Sequence, residues 1–258
     1  MRYLMIVQYN GLNYNGFQKQ KSGNTIQNHL EDALKTITKE EITTIGRGRT
    51  DAKVSAFMQP VSFETSKELD TEKTLYSLNG ILPNDISVKE LKKVEKTFHA
   101  QKSAKARHYR YAIANRTQRS AWDANCLLVR YPLDIERMNK ALSYLIGEHD
   151  FTSFKKVRTS NPAKICNMYK AEATREGDFV YIDFIADRFL YNMIRLIVGT
   201  LLVMERNSLA PETLKEILEA KDITKAGSTI SPDGLTLVEV IYNNINGESK
   251  WKLIQLNL

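Results

Sequence analysis

The sequence predicts a mixed α+β fold built as two lobes that meet near residue 105. Short runs rich in β-forming residues alternate with segments whose apolar residues recur at helical spacing. That alternation appears in the first half of the chain and again in the second. With 258 residues the chain is long enough for two small cores, and no low-complexity linker or short repeat suggests another architecture.

In the first half, Tyr3 to Tyr9 reads as a strand that stops at the turn Asn10-Gly11. Thr25 to Thr36 carries Ile26, Leu30, Ala33 and Leu34, with Ile37 just beyond, at helical spacing. Ile42 to Ile45 is a short strand, Gly46-Arg47-Gly48 a loop, and Val54 to Phe63 a strand again. Thr71 to Leu78 is expected as a helix stopping before Asn79-Gly80, and Ile86 to Val94 as a strand. In the second half, Arg107 to Ala114 is a strand and Ile135 to Ile146 an amphipathic helix ending at Gly147. Ile165 to Thr174 and Phe179 to Ala186 form a hairpin around Glu176-Gly177-Asp178. Phe189 to Met204 and, after Pro211, Glu212 to Leu218 are helices. Leu235 to Tyr242 and Trp251 to Leu256 are expected as closing strands. The lobes are therefore drawn as 1–105 and 106–258.

Composition excludes disorder: apolar residues make up 42% and charged residues 26%. The formal net charge is +7 and the isoelectric point near 9.2, which suits a polyanionic partner. The charge is uneven. No Asp or Glu occurs from Met1 to Leu30, from Lys96 to Trp122, or from Phe151 to Lys170. If these stretches meet they form one surface for a phosphate backbone; otherwise they are three solvated faces. Cys126 and Cys166 belong to no CxxC or Cys/His cluster, so no metal site is expected. The chain reads as reduced and cytoplasmic, without a signal-peptide pattern at its N-terminus. The most apolar segment, Phe189 to Met204, is broken by Asn192 and Arg195 and is too short for a membrane span.

Three places carry candidate chemistry. Arg195 sits in a helix that is apolar all round, where an unpartnered guanidinium is expensive. It therefore calls for a carboxylate or a ligand phosphate, unless it is a structural ion pair or snorkels to the rim. Gly46-Arg47-Gly48-Arg49-Thr50-Asp51 combines a free backbone, two cations and an acid in one loop. That suits an anion site beside a nucleophile or acid; an ordinary turn with a solvated aspartate has the same composition. It lacks the Gly-Lys-Ser/Thr of a Walker loop. In Arg107-His108-Tyr109-Arg110-Tyr111, alternation puts Arg107, Tyr109 and Tyr111 on one strand face and His108 and Arg110 on the other. Such a strand can stack a base and hold its phosphate. Half-buried core tyrosines fit equally for Tyr109 and better for Tyr111.

Taken in order, these segments resemble the TruA family of tRNA pseudouridine synthases. Tyr9-Asn10-Gly11 and Tyr14-Asn15-Gly16-Phe17-Gln18-Lys19-Gln20 are similar to that family's opening, with Phe17 where Trp is usual. Gly48-Arg49-Thr50-Asp51-Ala52 matches its most specific motif, and Ala106 to Tyr111 matches the segment with its active-site tyrosine. Gly147 to Phe154, the Arg-bearing helix Phe189 to Leu202, and Ala226-Gly227-Ser228-Thr229 with Asp233-Gly234-Leu235 are further matches. They span nearly the whole chain, from about residue 5 to residue 242.

The resemblance implies two ferredoxin-like α/β lobes with antiparallel sheets flanking a central catalytic cleft, usually in a homodimer. It implies isomerisation of uridine to pseudouridine in the anticodon arm of tRNA, with no cofactor. It assigns Asp51, Tyr109 and Arg195 to catalysis, with Arg195 keeping Asp51 ionised. Arg49 would fill the gap left by the displaced base or hold the flanking phosphate, and Tyr109 would stack on the uracil. Arg47, Lys53, Gln18, Lys19, Arg107, Arg110 and Lys155 are the remaining expected substrate contacts.

The chain also departs from the family pattern. Lys53 and Met58 stand where the family has glycine, Ser55 where it has histidine, and Tyr191-Asn192 where paired histidines are common. A glycine at position 53 implies either positive φ or a close backbone approach. The expectation here is a negative φ, with the lysine reaching a phosphate. Two other classes compete with an enzyme. One is a weak or inactive tRNA-binding relative acting as a folding chaperone, which the lost glycines favour. The other is a ferredoxin-like RNA-binding module with Asp51 on its surface, against which the absence of an RNP-type motif counts.

Overall fold

The computed structural model describes residues 1–20, 23–46, 48, 50–95, 104–156 and 164–242. The expected strand Trp251 to Leu256 lies outside them. The chain is α+β and forms two compact units. One comprises Met1–Lys105 and the returning strand from Thr236; the other comprises Ala106–Leu235.

The first unit runs β1 (Arg2–Tyr9), α1 (Ile26–Thr38), β2 (Thr44–Gly46), β3 (Ser55–Glu64), α2 (Thr71–Ile81) and β4 (Ile86–Val94). β1 lies between β3 and β4, antiparallel to both. β1 occupies one edge of β3 along its length. On the other edge, β2 pairs antiparallel at Val61 to Phe63. A bulge sets Phe57 and Met58 against Gln8, where the register shifts between Val7 and Tyr9. The apolar stripe of α1 (Ile26, Leu30, Ala33, Leu34) is buried with Tyr3, Met5, Phe17 and Phe63. Thr25 caps α1 by accepting the Asn28 N–H. α2 runs through Asn79-Gly80 instead of stopping at Leu78. The Asn79 side chain bonds the Leu75 carbonyl and both backbone groups of Val88, stitching the last turn to β4 and offsetting the cost of Gly80.

The second unit runs β5 (Ala106–Asn115), β6 (Leu127–Val129), α3 (Ile135–Ser143), β7 (Gly147–Asp150), β8 (Ile165–Glu176), β9 (Phe179–Ala186), α4 (Met193–Arg206) and α5 (Glu212–Ala220). Strand order β5-β9-β8-β7 is antiparallel throughout, and β6 adds a short parallel pairing to β5. α4 begins four residues later than the apolar run, because Asn192 takes a left-handed conformation (φ 61°).

The last strand, β10 (Leu235–Ile241), falls with the first compact unit from Thr236 onward. It was expected in the second lobe, yet it pairs parallel with β3, Thr236 opposite Ser55 and Leu237 opposite Ala56. β10 thus takes the part of the β3 edge that β2 leaves open. Apolar alternation marks a strand but not its partner. Among the described residues no helix is long and apolar enough to cross a membrane.

Candidate active site

In the first unit, the loop between β2 and β3 carries Asp51, which is exposed, directly after the buried Thr50. The segment following β1 supports this loop from beneath. The Phe17 N–H donates to the Thr50 carbonyl (3.1 Å), the Lys53 N–H to the Tyr14 carbonyl (3.1 Å), and the Gly11 N–H to the Ser55 hydroxyl (3.0 Å). The fit demands two of the opening glycines. A Cβ on Gly16, itself at φ +91°, would lie 2.7 Å from the Thr50 carbonyl oxygen, and one on Gly11 would lie 2.2 Å from that of Val54. Ser55 therefore serves the loop as a buried acceptor.

The loop turns into β3 through Asp51-Ala52-Lys53-Val54, closed by the Val54 N–H on the Asp51 carbonyl (3.2 Å). Lys53 has φ 67°, which corrects the expected negative value. The positive φ falls at the third position of the turn only, as in a type II turn, and the Lys53 N–H bond to Tyr14 holds it there. Its side chain is exposed. Met58 enters the β3 bulge without positive φ, so the second lost glycine needs no strain.

Gln18 is exposed. Lys19 is tethered to α1, its ammonium 3.0 Å from Glu31 and its N–H bonded to the Gln27 side chain. Burial opposes ionisation of Glu31, but bonds from Thr44, Lys19 and Gln27 outweigh it and hold the carboxyl below its ordinary range. Lys19 thereby pins the opening segment. Arg47 and Arg49 lie outside the described residues.

In the second unit, Tyr109 on β5 is 9% exposed and meets Phe189 edge-on, ring centroids 5.2 Å apart. Tyr111, on the same face, is wholly buried and donates to the Ser231 carbonyl (2.7 Å). Burial pushes its hydroxyl well above the usual tyrosine range. Arg107 donates to the Asp187 carbonyl. Arg110, expected at the substrate, extends from the opposite face to Asp183 through Nε and Nη2 (3.0 Å each) and lies over the Tyr181 ring. His108 meets the same carboxylate at 2.7 Å. Burial disfavours the Asp183 charge, but these two partners more than offset it and hold the carboxyl down at about 2.

Arg195 is half-buried on α4. Its Nε donates to the Ile230 carbonyl (2.7 Å) and its Nη1 to Asn192 Oδ1 (2.9 Å). Within the second unit, two neutral acceptors hold this guanidinium. The segment that supplies Ile230 is locked onto α4, since a Cβ on Gly199 would lie 2.0 Å from the Ser228 carbonyl oxygen. The Gly227 N–H also donates to Thr200 Oγ1 (2.8 Å). Lys155 is half-buried beside the turn preceding α4, the Lys156 N–H donating to the Tyr191 carbonyl.

The second unit thus gathers Tyr109, Tyr111 and Arg195 around the turn into α4 and the 228–231 segment. It sends Arg110 elsewhere. Sequence reasoning passed over Phe189 and the role of Asn192. The latter had a signal, because an Asn three residues before a helical Arg shares its face.

Comparisons with known proteins bear on what these residues do. The sequence profile of a family described as tRNA pseudouridine synthase matches residues 5–101 and 141–243. A tRNA pseudouridine synthase A of Thermoanaerobacter sp. (strain X514) is 44% identical over 240 residues, covering 93% of this chain and 98% of that one. Proteins of the same name from Caldicellulosiruptor saccharolyticus and Ehrlichia canis are each 41% identical, covering 93% and 94% of this chain and 98% and 100% of theirs. Among solved structures, a Cbf5-Nop10-Gar1 complex superposes with a TM-score of 0.39 at 13% identity, covering 78% of this chain and 44% of that one. That likeness is too slight to support an argument.

Proposed function

The chain belongs to the tRNA pseudouridine synthase family, an RNA-uridine isomerase by that membership, and from this we propose that it acts on uridines of the tRNA anticodon arm with Asp51 as nucleophile. One observation carries the reading: Asp51 is exposed on a loop whose backbone is bonded on both flanks. A nucleophile must be reachable and pre-positioned, and this arrangement supplies both.

The reaction breaks the bond from C1′ to N1, rotates the uracil and forms a bond from C1′ to C5. The C5 proton is released and N1 gains one, so the product is an isomer. Asp51 attacks C1′, assists formation of a glycal, or adds to C6; the three routes share the same carboxylate. Tyr109 stacks on the extruded base and relays the C5 proton. Arg195 enters the reading as the cation that the family resemblance assigns to that carboxylate. Arg49, Arg47, Lys53, Gln18, Lys19, Arg107, Arg110 and Lys155 make up the wider tRNA-contact set, in which the Asp183 pairing leaves Arg110 the weakest member. The acting form is a cytoplasmic homodimer.

The competing reading, a tRNA-binding chaperone, drew on the replaced glycines. Met58 needs no positive φ, and the Asp51 turn closes with Lys53 in the left-handed region, so the replaced glycines leave the loop formed. The deciding experiment is tritium release from 5-tritiated uridine tRNA. Asp51→Asn, which keeps shape but not nucleophilicity, is expected to give no product while tRNA affinity stays within about twofold. Turnover by this variant above a no-enzyme control would refute the assignment.

A further inference from the structure

Three polar side chains lie together inside the first unit, directly behind Asp51. Tyr9 at the end of β1 is 3% exposed, Gln59 in β3 is 0%, and Thr50 is 6%. The Tyr9 hydroxyl is 2.5 Å from Gln59 Oε1 and 2.6 Å from Thr50 Oγ1. An amide oxygen only accepts, so the Tyr9 proton goes to Gln59 and the Thr50 hydroxyl donates to Tyr9. The order of donation is Thr50 to Tyr9 to Gln59. Among the described residues, the Gln59 amide nitrogen is buried without a hydrogen-bond partner.

Such a cluster is a poor way to stabilise a core. Apolar side chains of similar shape would fill the space without leaving a buried donor unpaired. Buried polar networks that persist at such a cost define one geometry among several close alternatives. The geometry defined here is that of Thr50. Its hydroxyl is held by Tyr9 and its carbonyl accepts the Phe17 N–H at 3.1 Å. On the other flank, the Asp51 carbonyl accepts the Val54 N–H at 3.2 Å. The peptides on both sides of Asp51 are thereby restrained.

We propose that Tyr9 and Gln59 are positioning residues for Asp51, acting through Thr50 to hold the nucleophile's backbone in place. The inference rests on the reading of Asp51 as nucleophile. It predicts a loss confined to the chemical step, since none of the three is required to touch tRNA.

The test uses the full chain and single-turnover tritium release, with KM for tRNA measured separately and folding checked by circular dichroism. Tyr9→Phe and Thr50→Val are each expected to lower the rate on the order of 10- to 100-fold, the effect of a small misplacement of a reacting group. KM should stay within about twofold. Thr50→Ser, which retains the hydroxyl, should recover to within about threefold of the parent rate. A Tyr9→Phe rate equal to the parent's, with Asp51→Asn inactive, overturns the proposal and leaves the nucleophile standing. So does a Thr50→Ser as impaired as Thr50→Val, or a loss that only tracks the folded fraction. Turnover by Asp51→Asn overturns the nucleophile reading and this proposal with it.

Discussion

At Lys53 a side chain stands in the left-handed region, with φ 67°. For a residue with a Cβ that conformation costs about 1–2 kcal/mol. Glycine removes the strain but adds freedom to the unfolded chain, which takes back part of the gain. Lys53→Gly is therefore expected to stabilise the protein by about 0.5–1 kcal/mol, seen as a higher urea midpoint at unchanged m-value. A lower midpoint would mean that the exposed lysine contributes more than its backbone costs. The same variant tests the lysine as a phosphate contact: if it is one, the salt-dependence slope for tRNA binding falls by roughly one unit.

β5 shows how one element serves two purposes by alternation. One face presents Tyr109 and Tyr111; the other sends His108 and Arg110 to Asp183. Asp183 is 4% exposed, and its carboxyl is lowered from 3.8 to about 2. A lowered carboxylate stabilises the fold fully above its unfolded value near 4, and that contribution is lost as pH falls through the folded value. The shift corresponds to about 2 kcal/mol. The unfolding free energy should therefore decline between about pH 4 and pH 2. Asp183→Asn should lower stability at pH 7 by about 2–3 kcal/mol, since it strips the charge from a buried partner of Arg110, and should flatten the acid limb. Urea unfolding at neutral and acid pH checks both; an unchanged acid limb in the variant would show that other carboxylates govern it.

For the whole molecule, the consequential feature is the return of β10 to the first unit. It completes the β3 edge at Ser55 and Ala56 and brings Leu237 and Val240 against Gly48, where a Cβ would lie 3.0 and 3.4 Å from their side chains. The loop that carries Asp51 is thus backed by residues nearly two hundred positions away in the chain. A chain truncated after Gly234 should show amide exchange at Ser55 and Ala56 faster by about tenfold or more, equivalent to roughly 1.4 kcal/mol of local stability. Protection retained there would mean that β1 and β2 hold β3 without β10.

The sequence by itself determined the alternation of strands and helices and the turn residues that end most of them; the candidates Asp51, Tyr109 and Arg195 came from its resemblance to a family. The alternation and the turns are local properties, set by periodicity, by the conformational range of Gly and Asn, and by residue type. Tertiary structure decided what each group meets. It gave β10 to β3, because a strand's pattern does not name its partner. It gave Arg195 two neutral acceptors, because the 228–231 segment and the left-handed Asn192 converge on one face of α4. It gave Arg110 to Asp183, because β9 lies opposite β5. It put Lys53 at positive φ, where its N–H meets the Tyr14 carbonyl and the Val54 N–H closes on Asp51. Each of these depends on segments distant in sequence or on a backbone turn, and neither is written in the spacing of side chains.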